Sequence, residues 1–204
     1  MTPNPKAEYF DGIAERWDGW EDLPALARRL DAGLAALGLQ PGETVLDVGC
    51  GTGNLTRALL ARLSPAGRVF AVDISPRMIE IARRKVPDPR VVWRTEDARR
   101  LSLARASCDR AICFSVWPHF DDPAAVAAEL GRVLRPGGSL HVWHLLSRER
   151  VNAIHAGAGA AVRGDVLPPA AETAARLAAA GFRVATATES DAEYLVTAVR
   201  RGEP

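Results

Sequence analysis

Residues 45–54, VLDVGCGTGN, set Gly49, Gly51 and Gly53 at alternate positions directly behind an apolar run that contains Asp47. A strand, a glycine-rich turn and a helix start in that order let backbone N–H groups approach a ligand closely, because side chains are excluded from the turn. The spacing decides among ligands. A dinucleotide fingerprint requires GxGxxG, but its third glycine position is Asn54 here, and no Lys-Ser or Lys-Thr follows as a P-loop requires. An acidic residue about 20 positions on, at the end of the next strand, hydrogen-bonds ribose hydroxyls in such folds. Asp73, in FAVDIS, stands there. The plainer alternative is that the glycines serve positive φ and Asp73 caps a helix. It leaves spacing, order and edge placement unexplained together, so the ligand is expected to contain a ribose.

Around and beyond this turn, β-branched runs alternate with helix-like segments, the pattern of a parallel sheet covered on both faces. Strands are expected at 44–48, 68–73, 90–95 and 108–115, and a helix from about Asn54 to Leu63. A second helix begins with Ser75 as N-cap and Pro76 at its first position. Ala124 to Leu134 reads as another, and RPGG (135–138) as a turn launching a fifth strand, SLHVWHLL. Helices come next at Arg148 to His155 and Ala171 to Ala180, then FRVATATES and EYLVTAVR as an antiparallel pair. Before Thr44 the pattern predicts two helices, about 5–18 and 23–37.

The 204 residues are 48% hydrophobic, enough for one domain, and 26 basic against 25 acidic residues give no global attraction to nucleic acid. Cys50, Cys108 and Cys113 lack metal-type CxxC spacing and form an odd set, which points to a reducing compartment. No segment reads as a signal peptide or a membrane span, so the expectation is a cytoplasmic protein with no membrane partner.

The motifs, taken in order, resemble the class I S-adenosylmethionine-dependent methyltransferases. VLDVGCGTGNLT is similar to that family's first motif, VFAVDISPRMIEIARRK to its second strand and helix, TEDARRL to its third motif and CDRAICFSVWPHF to its fourth. ELGRVLRPGGSLHV is similar to the helix, turn and fifth strand that come after, so the resemblance is close over about residues 40–145. It implies an α/β, doubly wound, mostly parallel seven-stranded sheet of order 3-2-1-4-5-7-6 with the last strand antiparallel. It also implies a single domain over 1–204: N-terminal cap helices (1–40), a cofactor-binding core (41–145) and a substrate-side segment with closing strands (146–204). The cofactor would be S-adenosylmethionine and the product S-adenosylhomocysteine. Asp47, Gly49, Gly51 and Gly53 would wrap its methionine and ribose, and Asp73 would hold the ribose hydroxyls. Ile74 and Met78 would flank the adenine, and Asp97 with Ala98 would meet its edge. Phe114 and Ser115 would lie near the sulfonium. The first helix carries Tyr9, Phe10, Ile13 and Trp17 on one face, with Phe10 and Trp17 expected to close over the cofactor. Met78 is equally readable as helix core.

Methyl transfer from a sulfonium leaves the protein to position the acceptor and, where needed, take its proton. SVWPHF replaces the Asn/Asp-Pro-Pro-aromatic signature of nucleic-acid amino methyltransferases, and no Pro-Cys pair is present there for cytosine-C5 chemistry. A small-molecule acceptor is therefore expected. A non-catalytic cofactor-binding partner and an RNA methyltransferase are the alternatives. Histidine suits proton transfer near neutral pH. His119, after the fourth strand, and His144, at the end of the fifth, are the candidate catalytic residues, and His155 lies in the next helix. His141 should face the opposite side. A sharper expectation is that His119, His144 and His155 converge as a transition-metal site with an open position for the acceptor.

Overall fold

The computed structural model describes residues 4–202, and the outermost residues of the expected 1–204 domain lie outside the described residues. The chain forms two compact units, Met1–Asp97 and Ala98–Pro204.

The first unit begins with α1 (Pro5–Ile13), whose N-cap is Asn4, and a 3-10 helix (Ala14–Trp20). It continues with α2 (Leu23–Ala36), β1 (Thr44–Val48), α3 (Asn54–Arg62), β2 (Arg68–Asp73), α4 (Pro76–Lys85) and β3 (Val91–Thr95). β2 pairs parallel with both β1 and β3. Val45, Leu46, Asp47 and Val48 are all buried. Consecutive strand residues point to opposite faces, so β1 is covered on both sides, as its unbroken apolar reading requires. α4 starts where Ser75 and Pro76 predict: Ser75 Oγ accepts the Met78 N–H at 3.0 Å. The first helix is shorter than expected. It gives way at Ile13 to the 3-10 turns, which carry Trp17 and Asp18 to the glycine loop.

The second unit contains β4 (Cys108–Phe114), a 3-10 turn (Trp117–His119), α5 (Pro123–Val133), β5 (Leu134–His144), α6 (Arg148–Ala156), α7 (Ala170–Ala179), β6 (Phe182–Glu189) and β7 (Tyr194–Arg200). β4 and β5 are parallel, while β7 is antiparallel to both β5 and β6. The strand order is β3-β2-β1-β4-β5-β7-β6, as the sequence resemblance implies. RPGG departs from expectation: it lies inside β5, not before it. Leu134 pairs with Cys108 and the next partners are Ser139 and Arg110, so 135–138 form an excursion in one strand. Pro136 has no N–H to give the ladder there. β6 buries Phe182 and exposes most of its remaining residues, the profile of an edge strand. Tyr194, at the start of β7, is fully buried and its hydroxyl donates to Thr173 Oγ1 of α7 at 2.6 Å.

The three cysteines are free and buried. Among the described residues no helix is long and apolar enough to cross a membrane.

Candidate functional site

In the first unit, β1 ends and α3 begins across the glycine turn, with φ of 68° at Gly49, 51° at Gly51 and 82° at Gly53. Gly53 is the N-cap of α3, and a Cβ there would stand 3.0 Å from Trp93 Cη2 and 3.3 Å from Ala82 Cβ. Backbone conformation and space both demand glycine. Asp73, at the end of β2, is fixed from either flank: one carboxylate oxygen accepts the Gly51 N–H at 2.8 Å and the other the Ser75 N–H at 2.9 Å. The acidic residue and the glycine loop are thus one hydrogen-bonded piece.

Asp47 lies behind them, fully buried, accepting the Thr56 hydroxyl at 2.6 Å. Burial pushes its carboxyl up to about 7, the Thr56 hydrogen bond opposes that rise, and the nearby Asp73 charge adds to it. Burial also holds the Cys50 thiol far above its usual range, so Cys50 remains a neutral filler of the loop.

The N-terminal segment is tied to the same loop. Asp11 accepts from the Ser75 hydroxyl and from the Arg77 N–H at 3.0 Å, capping α4 from outside it. Asp18 accepts from Thr52 Oγ1 at 2.6 Å, Asn54 Nδ2 at 3.0 Å and Lys85 Nζ at 2.6 Å. Burial works against the Asp18 charge, but these donors outweigh it and lower its pKa. Trp17 reaches the turn: its Nε1 would be 3.8 Å from a Cβ at Gly51, and its ring meets Phe10 edge to face at 6.0 Å. Both expected aromatic residues therefore join the glycine loop and Asp73 in the first unit. Asp11, Asp18 and Lys85 do so without any sequence signal, since their partners are more than 30 residues away. Ile74 and Asp97 are half-buried in this unit, and the Met78 side chain is fully buried.

In the second unit, Phe114 ends β4 against Trp143, with ring centroids 5.1 Å apart, and Ala98 lies at the unit's start. Ser115 has φ of 53°, a left-handed conformation rare for a residue with a Cβ, while its N–H donates to the Trp143 carbonyl at 2.9 Å. Strain of this kind concentrates at functional sites.

Three of the four histidines gather in this unit. The His119 and His155 rings are 4.7 Å apart. Asp165 holds both: its Oδ2 is 2.6 Å from His119 Nδ1, and its main-chain oxygen is 2.8 Å from His155 Nδ1. His144 is 2% exposed, and its Nε2 is buried with no hydrogen-bond partner. Burial drives its pKa down to about 3, helped by His119 and His155, which oppose a charge on it. Asp165 lies in a stretch of small residues that offers no sequence signal. His141 lies apart, with Nε2 2.7 Å from Arg110 Nη1 and Nδ1 3.0 Å from Thr197 Oγ1.

The expected metal site finds no support. Among the described residues no group of three or more His, Cys, Asp or Glu side chains is arranged to hold a metal ion. The His119 and His155 rings lie tilted at 46° to each other and turn their Nδ1 atoms to Asp165, so this pair is organised around that residue.

Residues 46–142 match the family described as Methyltransferase domain. Among curated proteins, the malonyl-[acyl-carrier protein] O-methyltransferase of Hahella chejuensis is 36% identical over 70% of this chain and 50% of its own length. A ubiquinone/menaquinone biosynthesis C-methyltransferase of Bordetella parapertussis is 34% identical over 67% of this chain and 55% of its own length. The chain thus spans about half the length of these relatives. A solved complex between the Haloferax volcanii Trm112 methyltransferase activator and a methyltransferase has a chain similar over 97% of this one and 98% of its own length. Its TM-score is 0.82 at 23% identity, a likeness of fold.

Proposed function

We propose that this chain, whose residues 46–142 match the family described as Methyltransferase domain, binds S-adenosylmethionine as the class I methyltransferases do and transfers its methyl group to a small-molecule acceptor. The observation that carries the reading is the Asp73 carboxylate, clamped between the Gly51 and Ser75 amides beside three left-handed glycines. A fixed carboxylate suits vicinal ribose hydroxyls, and bare backbone suits the amino-acid arm, so the residues present fit the group.

In this reading Asp47, Gly49, Gly51 and Gly53 surround the methionine and ribose, and Asp73 accepts from the ribose hydroxyls. Ile74 lies on the adenine, Asp97 and Ala98 meet its edge, and Phe114 and Ser115 serve the reacting end. Met78 is assigned to the core. Phe10 and Trp17 cover the cofactor from the N-terminal segment. The bound cofactor supplies an electrophilic methyl group; the chain's own work is to orient an acceptor and manage its proton. His119 and His144 are the residues of this reading that face that task. The name of the Bordetella parapertussis relative, which places it in quinone biosynthesis, supports a small molecule.

Calorimetric titration with S-adenosylmethionine and S-adenosylhomocysteine tests the cofactor site. We expect binding by the wild type and a loss of about 100-fold in Asp73→Ala, because two charge-assisted hydrogen bonds at roughly 1.5 kcal/mol each disappear. Absence of binding to the wild type refutes the reading. Binding with no S-adenosylhomocysteine formed across phenols, amines, thiols and carboxylates refutes the enzymatic part and favours a non-catalytic binding partner.

A further inference from the structure

We propose that His119 and Asp165 form a proton-accepting dyad, and that the acceptor therefore carries a proton on its nucleophilic oxygen, as a phenol or enol does and a carboxylate does not. This deepens the methyltransferase reading and rests on it.

The oxygen partners determine the tautomers of the two rings. A main-chain carbonyl can only accept a hydrogen bond, so His155 Nδ1, 2.8 Å from the Asp165 carbonyl, carries the proton of that bond. With Asp165 as a carboxylate, the same holds for His119 Nδ1 at 2.6 Å from Oδ2. When the His119 ring is neutral it has one N–H, at Nδ1, and Nε2 carries the lone pair, the form a general base requires. The arrangement repeats the logic of a carboxylate that fixes the tautomer and orientation of a catalytic imidazole and stabilises the cation formed when it takes a proton.

A structural role does not account for the whole cluster. His119 and Asp165 have side chains 12% and 11% exposed, so the pair is partly shielded yet reachable. Beside it, His144 Nε2 is buried without a partner, an unfavourable state unless something outside the chain meets it. A polar molecule bound at the cluster would meet it. His119 itself stands just past the left-handed Ser115, where local strain supports a working site.

The step balances simply. The acceptor's O–H bond breaks, an N–H bond forms at His119 Nε2, and the electron pair stays on oxygen as the nucleophile. The Asp165 carboxylate at Nδ1 stabilises the positive charge on His119, and the proton leaves to solvent after the transfer. A carboxylate acceptor is already ionised near neutral pH and would make the dyad redundant.

Asp165 is then a positioning residue, and its role can be read without any acceptor. Long-range proton–nitrogen NMR of the imidazole rings at neutral pH distinguishes Nδ1–H from Nε2–H tautomers. The wild type should show Nδ1–H at both His119 and His155. Asp165→Ala should release His119 to a mixed or Nε2–H state while His155, held by the main chain, stays Nδ1–H and reports an intact segment. Asp165→Asn presents an amide N–H that can donate to Nδ1 and should turn His119 to Nε2–H. Nε2–H at His119 in the wild type, or an Nδ1–H signal indifferent to Asp165→Ala, overturns the dyad. For the acceptor class, catechol and octanoate serve as probes with S-adenosylhomocysteine formation as readout. Methylation of catechol, with kcat reduced about 10²–10⁴-fold in His119→Gln at unchanged cofactor affinity, supports the proposal. Methylation of octanoate and not catechol overturns the acceptor class while leaving the methyltransferase reading intact. Failure to bind S-adenosylmethionine at all is the separate failure of that reading.

Discussion

Replacing Gly53 and Gly51 by alanine, one at a time, separates two reasons for glycine in the same turn. Both have positive φ, 82° and 51°, so each alanine pays the left-handed penalty of about 1–2 kcal/mol. Only Gly53 is also crowded. Its added methyl would sit 3.0 Å from Trp93 Cη2 and 3.3 Å from Ala82 Cβ, whereas at Gly51 the nearest atom is Trp17 Nε1 at 3.8 Å. Overpacking of a filled site costs typically 1–3 kcal/mol. Gly51→Ala should therefore lose about 1–2 kcal/mol and Gly53→Ala about 2–5 kcal/mol. Urea unfolding followed by far-ultraviolet circular dichroism, with equal m-values required, measures both. Cofactor affinity should show the reverse ranking for a given loss of stability, because the Gly51 N–H binds Asp73 whereas Gly53 packs on Trp93. Equal destabilisation by the two substitutions would refute the claim that packing against Trp93 is what distinguishes Gly53.

The buried histidines make stability depend on acidity. His141 and His144 titrate near 3 in the fold because burial disfavours their charge, against about 6.5 when unfolded, so the unfolded chain binds more protons between those values. Stability should fall as pH drops from about 6.5 toward 3, at about 1.4 kcal/mol per pH unit for each histidine. Asp47, raised to about 7, opposes this between about 4 and 7, so the net slope should be that of one histidine, and His144→Leu should flatten it over that window; urea midpoints from pH 7 to pH 5 provide the check. Tyr194→Phe removes a buried hydrogen bond to Thr173 and should cost about 1–2 kcal/mol by the same unfolding measurement. Lys85→Met deprives Asp18, Thr52 and Asn54 of their shared donor, and should speed amide hydrogen exchange across residues 14–20 while that in β1 is unchanged.

What could be read from the sequence was whatever local chemistry determines. The glycine turn, the carboxylate at Asp73 and the cap at Ser75 each arise from contacts within a few residues or from adjacent strands in a parallel register, and the structure places them as read. Even the failures there are local: RPGG has turn composition, and only the pairing of Leu134 with Cys108 draws it into β5. The histidine cluster belongs to another class of information. His119 and Asp165 are 46 residues apart, and nothing in the small-residue stretch around Asp165 marks it as a partner. Sequence offered three histidines in a plausible order, and a metal is what three histidines alone suggest. Adding one carboxylate changes the chemistry, because an oxygen at Nδ1 commits that nitrogen's proton and leaves the lone pair of a neutral ring on Nε2. The same residue that makes His119 a base makes His155 its tautomeric twin through a carbonyl that no substitution can remove. Long-range pairing of this kind sets protonation state, which motif spacing cannot encode, and protonation state decides which acceptors the cluster serves.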